Sequence, residues 1–249
     1  MSERPTLHVF GDEAVRFYWK PEISDSLNDA VIAWADAIRS RFKNQIEDIT
    51  IGYNEISVHF PNLEETQKFL KEYTEESIDV EQEESRVERS HLFIPVCYDP
   101  AFALDMNSYA EVKGFAPEEI IALHTQPEYR VYFLGFLPGF PYLGGMNEKL
   151  EHARLDKPRR QVPAGAVGIA GKQTGIYPTE SPGGWNIIGQ TPLSLFDPQD
   201  ATPTLLKSSD RLSFYSISPA EFERIRDEVM LKNMIEIRSF CQKKQNEKQ

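Results

Sequence analysis

The fold is decided by FLGFLPGFPYLGGM (residues 133–146) and, further along, by PRRQVPAGAVGIAGKQTGIYPTESPGGWNIIGQTPLSLFDP (residues 158–198). Glycine and proline recur throughout this stretch, and both residues disfavour the interior of a helix. The apolar runs between them are short, as at residues 166–170 and 193–196. This pattern predicts a barrel of short strands joined by tight turns, with loops that can form a binding site.

Length and composition limit the class of protein. The 249 residues suffice for one large or two modest domains, and 40% of them are hydrophobic. The formal net charge is −12, and no basic run marks a nucleic-acid binder. The cysteines Cys97 and Cys241 form no CxxC motif, which argues against a disulfide framework or a zinc site. Neither a signal peptide nor a membrane helix of roughly 20 apolar residues is evident, so we expect a cytoplasmic protein without membrane contacts.

The first part of the chain predicts a small α+β domain at residues 1–89. The order of its predicted strands and helices is typical of an antiparallel sheet with helices packed on one face. The heavily charged residues 75–89 are interpreted as a connector with a little helix. The predicted elements are strands at residues 7–10, 14–19, 49–53 and 56–60, and helices that begin after the cap Ser24 and at Leu63.

Residues 90–249 predict a second domain, a β-barrel with one C-terminal helix. Pro95 places the first strand of this domain at a sheet edge or a strand end. Ser218 and Glu221 form a capping box that starts the C-terminal helix, whose apolar stripe includes Met230. The other predicted elements before and after the glycine-rich stretch are helices at residues 104–113 and 117–124 and strands at residues 92–98, 129–134 and 211–217.

Five ordered blocks resemble the signatures of the KipI family, which is also known as the family of allophanate hydrolase subunit 1 or of the 5-oxoprolinase B subunit. The opening FGDEAV, followed by Asn28, is similar as well, so the resemblance covers nearly the whole chain. It implies that the barrel is cyclophilin-like. The blocks are GFLPGFPYLGG (135–145), PR-x2-VPAGAVGIAG (158–171), QTGIYP (173–178), SPGGWNIIG-x-TP (181–192) and LFDP (195–198).

The resemblance implies the B subunit of an ATP-dependent 5-oxoprolinase, which cleaves 5-oxo-L-proline to L-glutamate. The implied partners are a KipA-like C component and a LamB/YcsF-like A component, and the chain is expected to be inactive alone. It is expected to bind no cofactor by itself, with ATP used by the complex. The alternative is a KipI-like inhibitor that binds a sporulation sensor histidine kinase. A component of allophanate hydrolysis and a prolyl isomerase stay open as weaker interpretations, because fold likeness alone does not carry function.

Several familiar motifs are absent from the sequence. Residues 165–174 (GAVGIAGKQT) are not a Walker phosphate loop, because Ala166 and Gln173 stand where glycine and serine or threonine are required. The backbone N–H groups of residues 165–168 remain a candidate anion-binding nest. The five histidines are dispersed, so no metal site is predicted. No GxSxG elbow is present, and the catalytic residues stay unassigned.

Candidate substrate-binding residues cluster in the glycine-rich stretch. Arg159 matches the family's PR position, and its planar side chain can donate two hydrogen bonds to a carboxylate. Aromatic residues in such loops usually complete the core, and the alternative for Phe140 is that its stiff turn presents it outward as a pocket wall or partner anchor. His124 ends a helix and matches a family histidine. A purely structural role is an open alternative for His124 and also for Ser181. The remaining candidates, which suit a small planar amide or acid, are Pro163, Gly165, Gln173, Tyr177 and Trp185.

The sequence departs from the family pattern at two points near these candidates, and one is Ala153, which stands where the family often has a proline before Arg154-Leu155. Arg154, Arg159 and Arg160 lie close together in the sequence beside the glycine loops. Gln190 stands where the family usually has an arginine before its TP pair. We therefore expect either a different ligand or a greater dependence on Arg159.

Overall fold

The computed structural model describes residues 4–74, 78 and 90–243. The chain divides into two compact units, Met1–Glu88 and Arg89–Gln249. The predicted connector at residues 75–89 lies outside the described residues, apart from Ile78. Among the described residues, no helix has the length and apolar character needed to cross a membrane.

The first unit is an antiparallel sheet with two helices. The strand order is β1-β2-β4-β3. Ser24 and Asn62 cap the two helices, since each side chain accepts the backbone N–H three residues further on. The elements are β1 (Thr6–Val9), β2 (Ala14–Tyr18), α1 (Asp25–Phe42), β3 (Asp48–Ile51), β4 (Glu55–His59) and α2 (Leu63–Glu72).

The two faces of this sheet differ because strand residues alternate. Val15 and Phe17 on β2 are buried with Trp34 of α1 and Phe69 of α2 in one core cluster. Arg16, which lies between Val15 and Phe17 on β2, therefore projects from the face opposite the helices. The α+β order predicted for this part of the chain is confirmed.

The second unit is built around a closed seven-stranded barrel. The strands follow one another around the barrel in the order β10-β7-β6-β13-β5-β12-β9, while β8 and β11 form a separate pair. The barrel predicted from the glycine-rich stretch is confirmed. The elements are β5 (His91–Cys97), α3 (Met106–Lys113), α4 (Pro117–Thr125), β6 (Tyr129–Leu134), β7 (Pro141–Gly144), β8 (Arg159–Val162), β9 (Ala166–Ala170), β10 (Gln173–Ile176), β11 (Ser181–Gly183), β12 (Asn186–Gln190), β13 (Arg211–Ile217), α5 (Pro219–Val229) and α6 (Met234–Lys243).

Pro95 does not mark a strand end, but one side of the strand is open there, as the edge alternative predicted. Pro95 lies in the middle of β5, which pairs in parallel with β13 along its full length. The ladder from β12 reaches β5 only at Cys97. At Pro95, β5 therefore has a side without ladder pairing, where a residue that lacks an N–H is tolerated.

The C-terminal segment is two helices rather than the predicted one. The capping box of Ser218 and Glu221 starts α5 as expected. A second reciprocal cap starts α6, because Asn233 and Glu236 each accept the other's backbone N–H at 3.0 Å. The break leaves Met230 71% exposed, outside the apolar stripe to which it was assigned.

Candidate functional site

Four aromatic residues form a cluster next to the β8–β11 pair, and we call it the aromatic cluster: Phe140, Tyr142, Tyr177 and Trp185. The ring of Phe140 lies at its centre, with centroids 5.3 Å from each of the other three rings. Such edge-on and tilted pairs stabilise a core beyond simple area burial. The structure thus brings together three of the predicted candidates, Phe140, Tyr177 and Trp185.

Of the two alternatives for Phe140, the structure shows completion of the core, because the side chain is only 2% exposed. The outward aromatic residue of this turn is Phe136, which is 63% exposed and has a left-handed φ of +63°. A phenylalanine in this conformation is strained, and such strain is typical of functional loops. Its ring packs edge-on against Phe140 at 5.6 Å. Phe136, and not Phe140, is therefore the exposed aromatic residue of this turn.

The phenol of Tyr177 lies under the surface beside two arginines. Burial raises the pKa of Tyr177, while a backbone hydrogen bond from Trp185 and the charges of Arg154 and Arg159 act in the opposite direction. A Cβ at Gly183 would collide with this phenol. Tyr177 therefore packs tightly against β11 and is a wall of the cluster rather than a free donor.

Arg159 is held by a carboxylate that sequence analysis did not find. Its guanidinium donates two hydrogen bonds to Asp105, of which the NH1–Oδ2 contact is 2.9 Å. Asp105 is buried and also accepts the backbone N–H of Ile187 at 2.6 Å. The bidentate pair thus joins β8 to the start of α3 and to β12. Arg159 has a structural partner, and only about a third of its side chain reaches solvent, 30%.

Arg154 is the available cation at this site. Its side chain is exposed, and it makes no hydrogen bond or ion pair with the described part of the chain. Its charge lowers the pKa of both Tyr142 and Tyr177, against the larger raising effect of their burial. An anionic group that lies on the aromatic cluster would therefore meet Arg154 before Arg159.

The turn around Gly165 is a structural joint and not an anion nest. The Gly165 N–H donates to Tyr177 O at 2.7 Å, and the Ala166 N–H donates to the carbonyl of Pro163 at 3.2 Å. Gly168 pairs within β9, so these donors are already used. Gly165 has a φ of +78°, and a Cβ there would collide with the Thr191 carbonyl.

Gln190 is explained by the same turn. Its side-chain amide donates to Ala164 O at 2.7 Å and so ties the end of β12 to the residues around Gly165. The residue that replaces the family's usual arginine thus has an internal partner. Its placement gives no support to a ligand-binding role for position 190.

Two further candidates lie near the cluster but show no ligand geometry. Ser181 is 8% exposed, and its hydroxyl donates to the neighbouring Pro182 carbonyl at 3.3 Å. It lies on β11 opposite Val162, next to Pro163. Gln173 begins β10 and is partly exposed. Their assignment as substrate-binding residues stays a prediction.

His124 lies apart from the aromatic cluster, inside the core of the barrel. Thr174 donates its hydroxyl to Gly168 O at 3.0 Å, so its oxygen accepts the Nε2–H of His124, also at 3.0 Å. The unprotonated Nδ1 of His124 then accepts the Tyr98 hydroxyl at 2.7 Å. This tautomer follows from the network.

This buried network gives His124 a structural role. Its side chain is fully buried, both ring nitrogens are engaged, and its ring stacks on Phe214 at 4.5 Å. Burial lowers its pKa to about 3, so the ring is neutral at physiological pH. The structure therefore does not support direct contact between His124 and a ligand.

The groups that the site exposes are ones that can bind a ligand. In the described ranges, no group of three or more histidine, cysteine, aspartate or glutamate residues is arranged to hold a metal ion. Both cysteines are buried free thiols. What the site presents to solvent is a cation, Arg154, beside the partly exposed Tyr142 and the exposed Phe136. These groups suit a small acid with an apolar ring.

Three comparisons with known proteins place this chain. A family model described as "Carboxyltransferase domain, subdomain C and D" matches residues 5–206. A protein of Bacillus subtilis (strain 168) that is named as the B subunit of 5-oxoprolinase is 39% identical over 238 residues, covering 92% of this chain and 99% of the relative. A conserved uncharacterized protein from Pyrococcus horikoshii, PH0987, has a solved structure with 40% identity and a TM-score of 0.52, covering 87% of this chain and 100% of that one.

A longer solved chain, TTHA0988, matches with a TM-score of 0.69 and 32% identity. The match covers 82% of this chain but spans only 40% of that chain. There, a unit of this type is joined to a larger remainder within one polypeptide. The chain described above belongs to the carboxyltransferase domain, subdomain C and D, family and, within it, to the 5-oxoprolinase B subunit family that its sequence resembles.

Proposed function

We propose that this chain is the B subunit of an ATP-dependent 5-oxoprolinase, which cleaves 5-oxo-L-proline to L-glutamate together with a KipA-like C component and a LamB/YcsF-like A component. The observation that carries the proposal is the 39% identity to a 5-oxoprolinase B subunit over 99% of its length. In this proposal the complex is cytoplasmic, it uses ATP, and the isolated chain binds no cofactor. No feature of the described residues favours the sensor-kinase inhibitor over the enzyme component.

The aromatic cluster and Arg154 form the substrate-side surface in this proposal. 5-Oxoproline is a small planar lactam that carries one carboxylate. The guanidinium of Arg154 pairs with that carboxylate, and the partly exposed ring of Tyr142 supports the face of the lactam. Both groups lie at the surface, so a companion chain is needed to exclude water and supply ATP. This requirement is the physical reason to expect no activity from the chain alone.

The test is ATP-dependent release of glutamate from 5-oxoproline by purified chains. This chain alone, the KipA-like and LamB/YcsF-like components without it, and the full mixture are compared at matched concentrations. Glutamate release that requires all three chains is the expected result. If the full mixture of folded chains releases none, the proposal is wrong, and autophosphorylation of a sensor histidine kinase is the next assay.

Arg154→Gln is expected to lower kcat/KM for 5-oxoproline in the reconstituted complex by about tenfold to a hundredfold, the effect of a lost charge-assisted hydrogen bond. The expected loss lies mainly in KM, because Arg154 binds the carboxylate and not the reacting amide. Thermal stability should not change, since Arg154 has no partner among the described residues. The measurement is steady-state kinetics together with the melting temperature.

The matched control is Arg160→Gln, which removes an exposed arginine of β8 from the same basic segment. It should keep wild-type kinetics. If both variants lose the same fraction of activity, general charge rather than a carboxylate site is responsible. If neither loses activity while the wild-type complex is active, Arg154 is not part of the substrate surface.

An exposed apolar surface between α5 and α6 fits the docking of a companion chain of the complex. Met230, Leu231 and Ile235 are 71%, 89% and 58% exposed and line a depression of about 540 Å³. Asp197, Asp200 and Lys232 line it as well. Three large apolar side chains that are exposed next to one another are typical of an interaction site. The helix break that presents them is fixed by the Asn233 cap.

The partner proposed for this surface is another component of the complex, with an apolar patch and basic residues at its rim. A second copy of this chain fits poorly, because each copy carries a net charge of −12. The joining of this unit to a larger remainder in TTHA0988 supports a stable neighbour.

Leu231→Asp is expected to weaken the binding of the companion chains by about tenfold or more, because a charge would be buried at the interface. The measurement is titration calorimetry with the KipA-like component and, separately, with the LamB/YcsF-like component. Val112→Asp on α3, where Val112 is 65% exposed, is the control and should bind normally. Equal affinities of wild type and Leu231→Asp would overturn this surface while leaving the proposed function intact.

A further inference from the structure

The first unit contains a small cavity that the proposed function does not use. Its volume is about 250 Å³, and it lies against the β1–β2 strands and the turn before β4. In the sheet register His8 pairs with Arg16, and Tyr18 pairs with Glu55, so these side chains are neighbours on the face opposite the helices. The residues that carry chemistry along its wall are His8, Phe10, Arg16, Tyr18, Asn54 and Glu55.

Arg16 is held in place without a hydrogen bond to any residue that the structure describes. Its guanidinium lies over the ring of Phe10, 4.6 Å from the centroid. Its Nε is buried without a partner, and none of its nitrogens donates a hydrogen bond to the described part of the chain. A buried orphan donor costs free energy and calls for an explanation. The guanidinium therefore has its donors available for an acceptor that the protein does not supply.

Two acceptors beside Arg16 receive no hydrogen bond from the described residues. Glu55 lies 3.7 Å from Arg16, too far for a hydrogen bond, and its carboxylate accepts none from the described residues. The amide nitrogen of Asn54 donates to Trp19 O at 3.0 Å, which turns its oxygen into a second available acceptor. Tyr18 and His8 bond each other at 2.9 Å and form a fixed part of the wall.

Arg16 and Glu55 form an open ion pair at 3.7 Å, a spacing similar to that of Lys68 and Glu65 in the same unit, 3.8 Å. In the same unit, Arg39 and Asp36 have similar exposure, yet they close to a hydrogen bond of 2.6 Å. Arg16 and Glu55 are 37% and 43% exposed and stay apart. Stacking on Phe10 holds the arginine, and the hairpin turn before β4 places the glutamate. Two opposite charges thus lie side by side on the wall of a small cavity without a hydrogen bond between them.

We propose that this cavity binds the zwitterionic head of a free α-amino acid. The carboxylate of the ligand takes two hydrogen bonds from Arg16, and its ammonium group donates to Glu55 and to the Asn54 oxygen. Because the ligand head carries both charges, it pairs with Arg16 and with Glu55 and adds no net charge to the site. A cavity of about 250 Å³ lies below the range of drug-sized sites and fits one such molecule. The exposed ring of Phe10 offers contact to an apolar side chain.

Titration calorimetry on the full chain tests this site, with L-leucine and glycine as probes. Saturable binding of L-leucine with a Kd in the millimolar range or tighter is expected. N-acetyl-L-leucine lacks the ammonium charge and L-leucinamide lacks the carboxylate, so each should bind at least about tenfold more weakly. Arg16→Gln and Glu55→Gln should each weaken L-leucine binding by a similar factor. Arg39→Gln, which removes the comparison ion pair, should leave binding unchanged.

The outcomes separate cleanly. Absence of saturable binding of both L-leucine and glycine to the folded wild-type chain overturns the proposal. Equal affinity for L-leucine and its N-acetyl derivative overturns it too, since the site would then be a plain carboxylate site. Binding that survives both Arg16→Gln and Glu55→Gln would place the ligand elsewhere. None of these results depends on 5-oxoprolinase activity, so the two proposals fail independently.

Discussion

Asp210→Ala is expected to lower the free energy of unfolding of the barrel unit by about 3–5 kcal/mol, the cost of leaving a buried charge without its partner. Asp210 is fully buried at the start of β13, and its carboxylate accepts two hydrogen bonds from Arg238 of α6 at 2.7 and 2.8 Å. It also accepts the backbone N–H of Lys207 at 2.7 Å. One carboxylate thus joins the barrel, the loop before β13 and the last helix.

The measurement is urea unfolding of the variant beside two others. Asp227→Ala removes an exposed aspartate of α5, whose contact to Arg226 is 3.9 Å, and should change stability little. The double variant Asp210→Asn with Arg238→Met should lose less stability than Asp210→Asn alone and Arg238→Met alone lose when their losses are added. In the double variant both charges are removed together. A loss below about 1 kcal/mol for Asp210→Ala would mean that water replaces the missing carboxylate.

Local signals predicted the elements of this fold well. Strands expected at residues 129–134 and 211–217 are β6 and β13, and the capping box of Ser218 begins α5. These patterns depend on neighbouring residues, which the sequence displays directly. The second cap at Asn233 is equally local, and its signal is the glutamate three residues later. This cap was not predicted, because the apolar stripe continues across the break between α5 and α6.

Long-range pairing could not be predicted from the sequence. β13 lies parallel to β5 although about 120 residues separate paired positions such as Arg211 and His91. The same limit applies to the candidate site. Asp105 looks like an ordinary helix cap, and nothing near it indicates that its carboxylate holds Arg159. Side-chain partners across the barrel depend on strand order, which local patterns do not encode.

Orientation within a turn was equally hard to predict. The pattern Phe136-Leu-Pro-Gly-Phe140 contains a glycine, which is the residue expected to take a positive φ. The structure gives positive φ to both Gly139 and Phe136. With this second left-handed residue in the turn, Phe136 lies outward and Phe140 inward, a choice that the sequence left open. Tertiary packing of the Phe140 ring, not turn propensity, decides which aromatic residue is exposed.

His124 is expected to make the barrel unit less stable in acid. Its pKa is about 3 in the folded chain and 6.5 when unfolded, so between these values the unfolded state binds more protons. Stability therefore falls as the pH drops below 6.5, by about 1.4 kcal/mol per pH unit from this one group. Above pH 6.5 both states are neutral at this position, and the contribution of His124 does not vary.

His124→Phe separates this effect from other titrating groups. At pH 7.5 the variant should be about 1–3 kcal/mol less stable than the wild type, because Tyr98 and Thr174 each lose a buried partner. On lowering the pH to 4.5 this deficit should shrink and then reverse, since phenylalanine carries no protonation penalty. Thr174→Val keeps the histidine and should keep the wild-type slope while losing stability. The measurement is urea unfolding of wild type, His124→Phe and Thr174→Val at four pH values. Parallel curves of stability against pH for wild type and His124→Phe would show that the ring is protonated without unfolding.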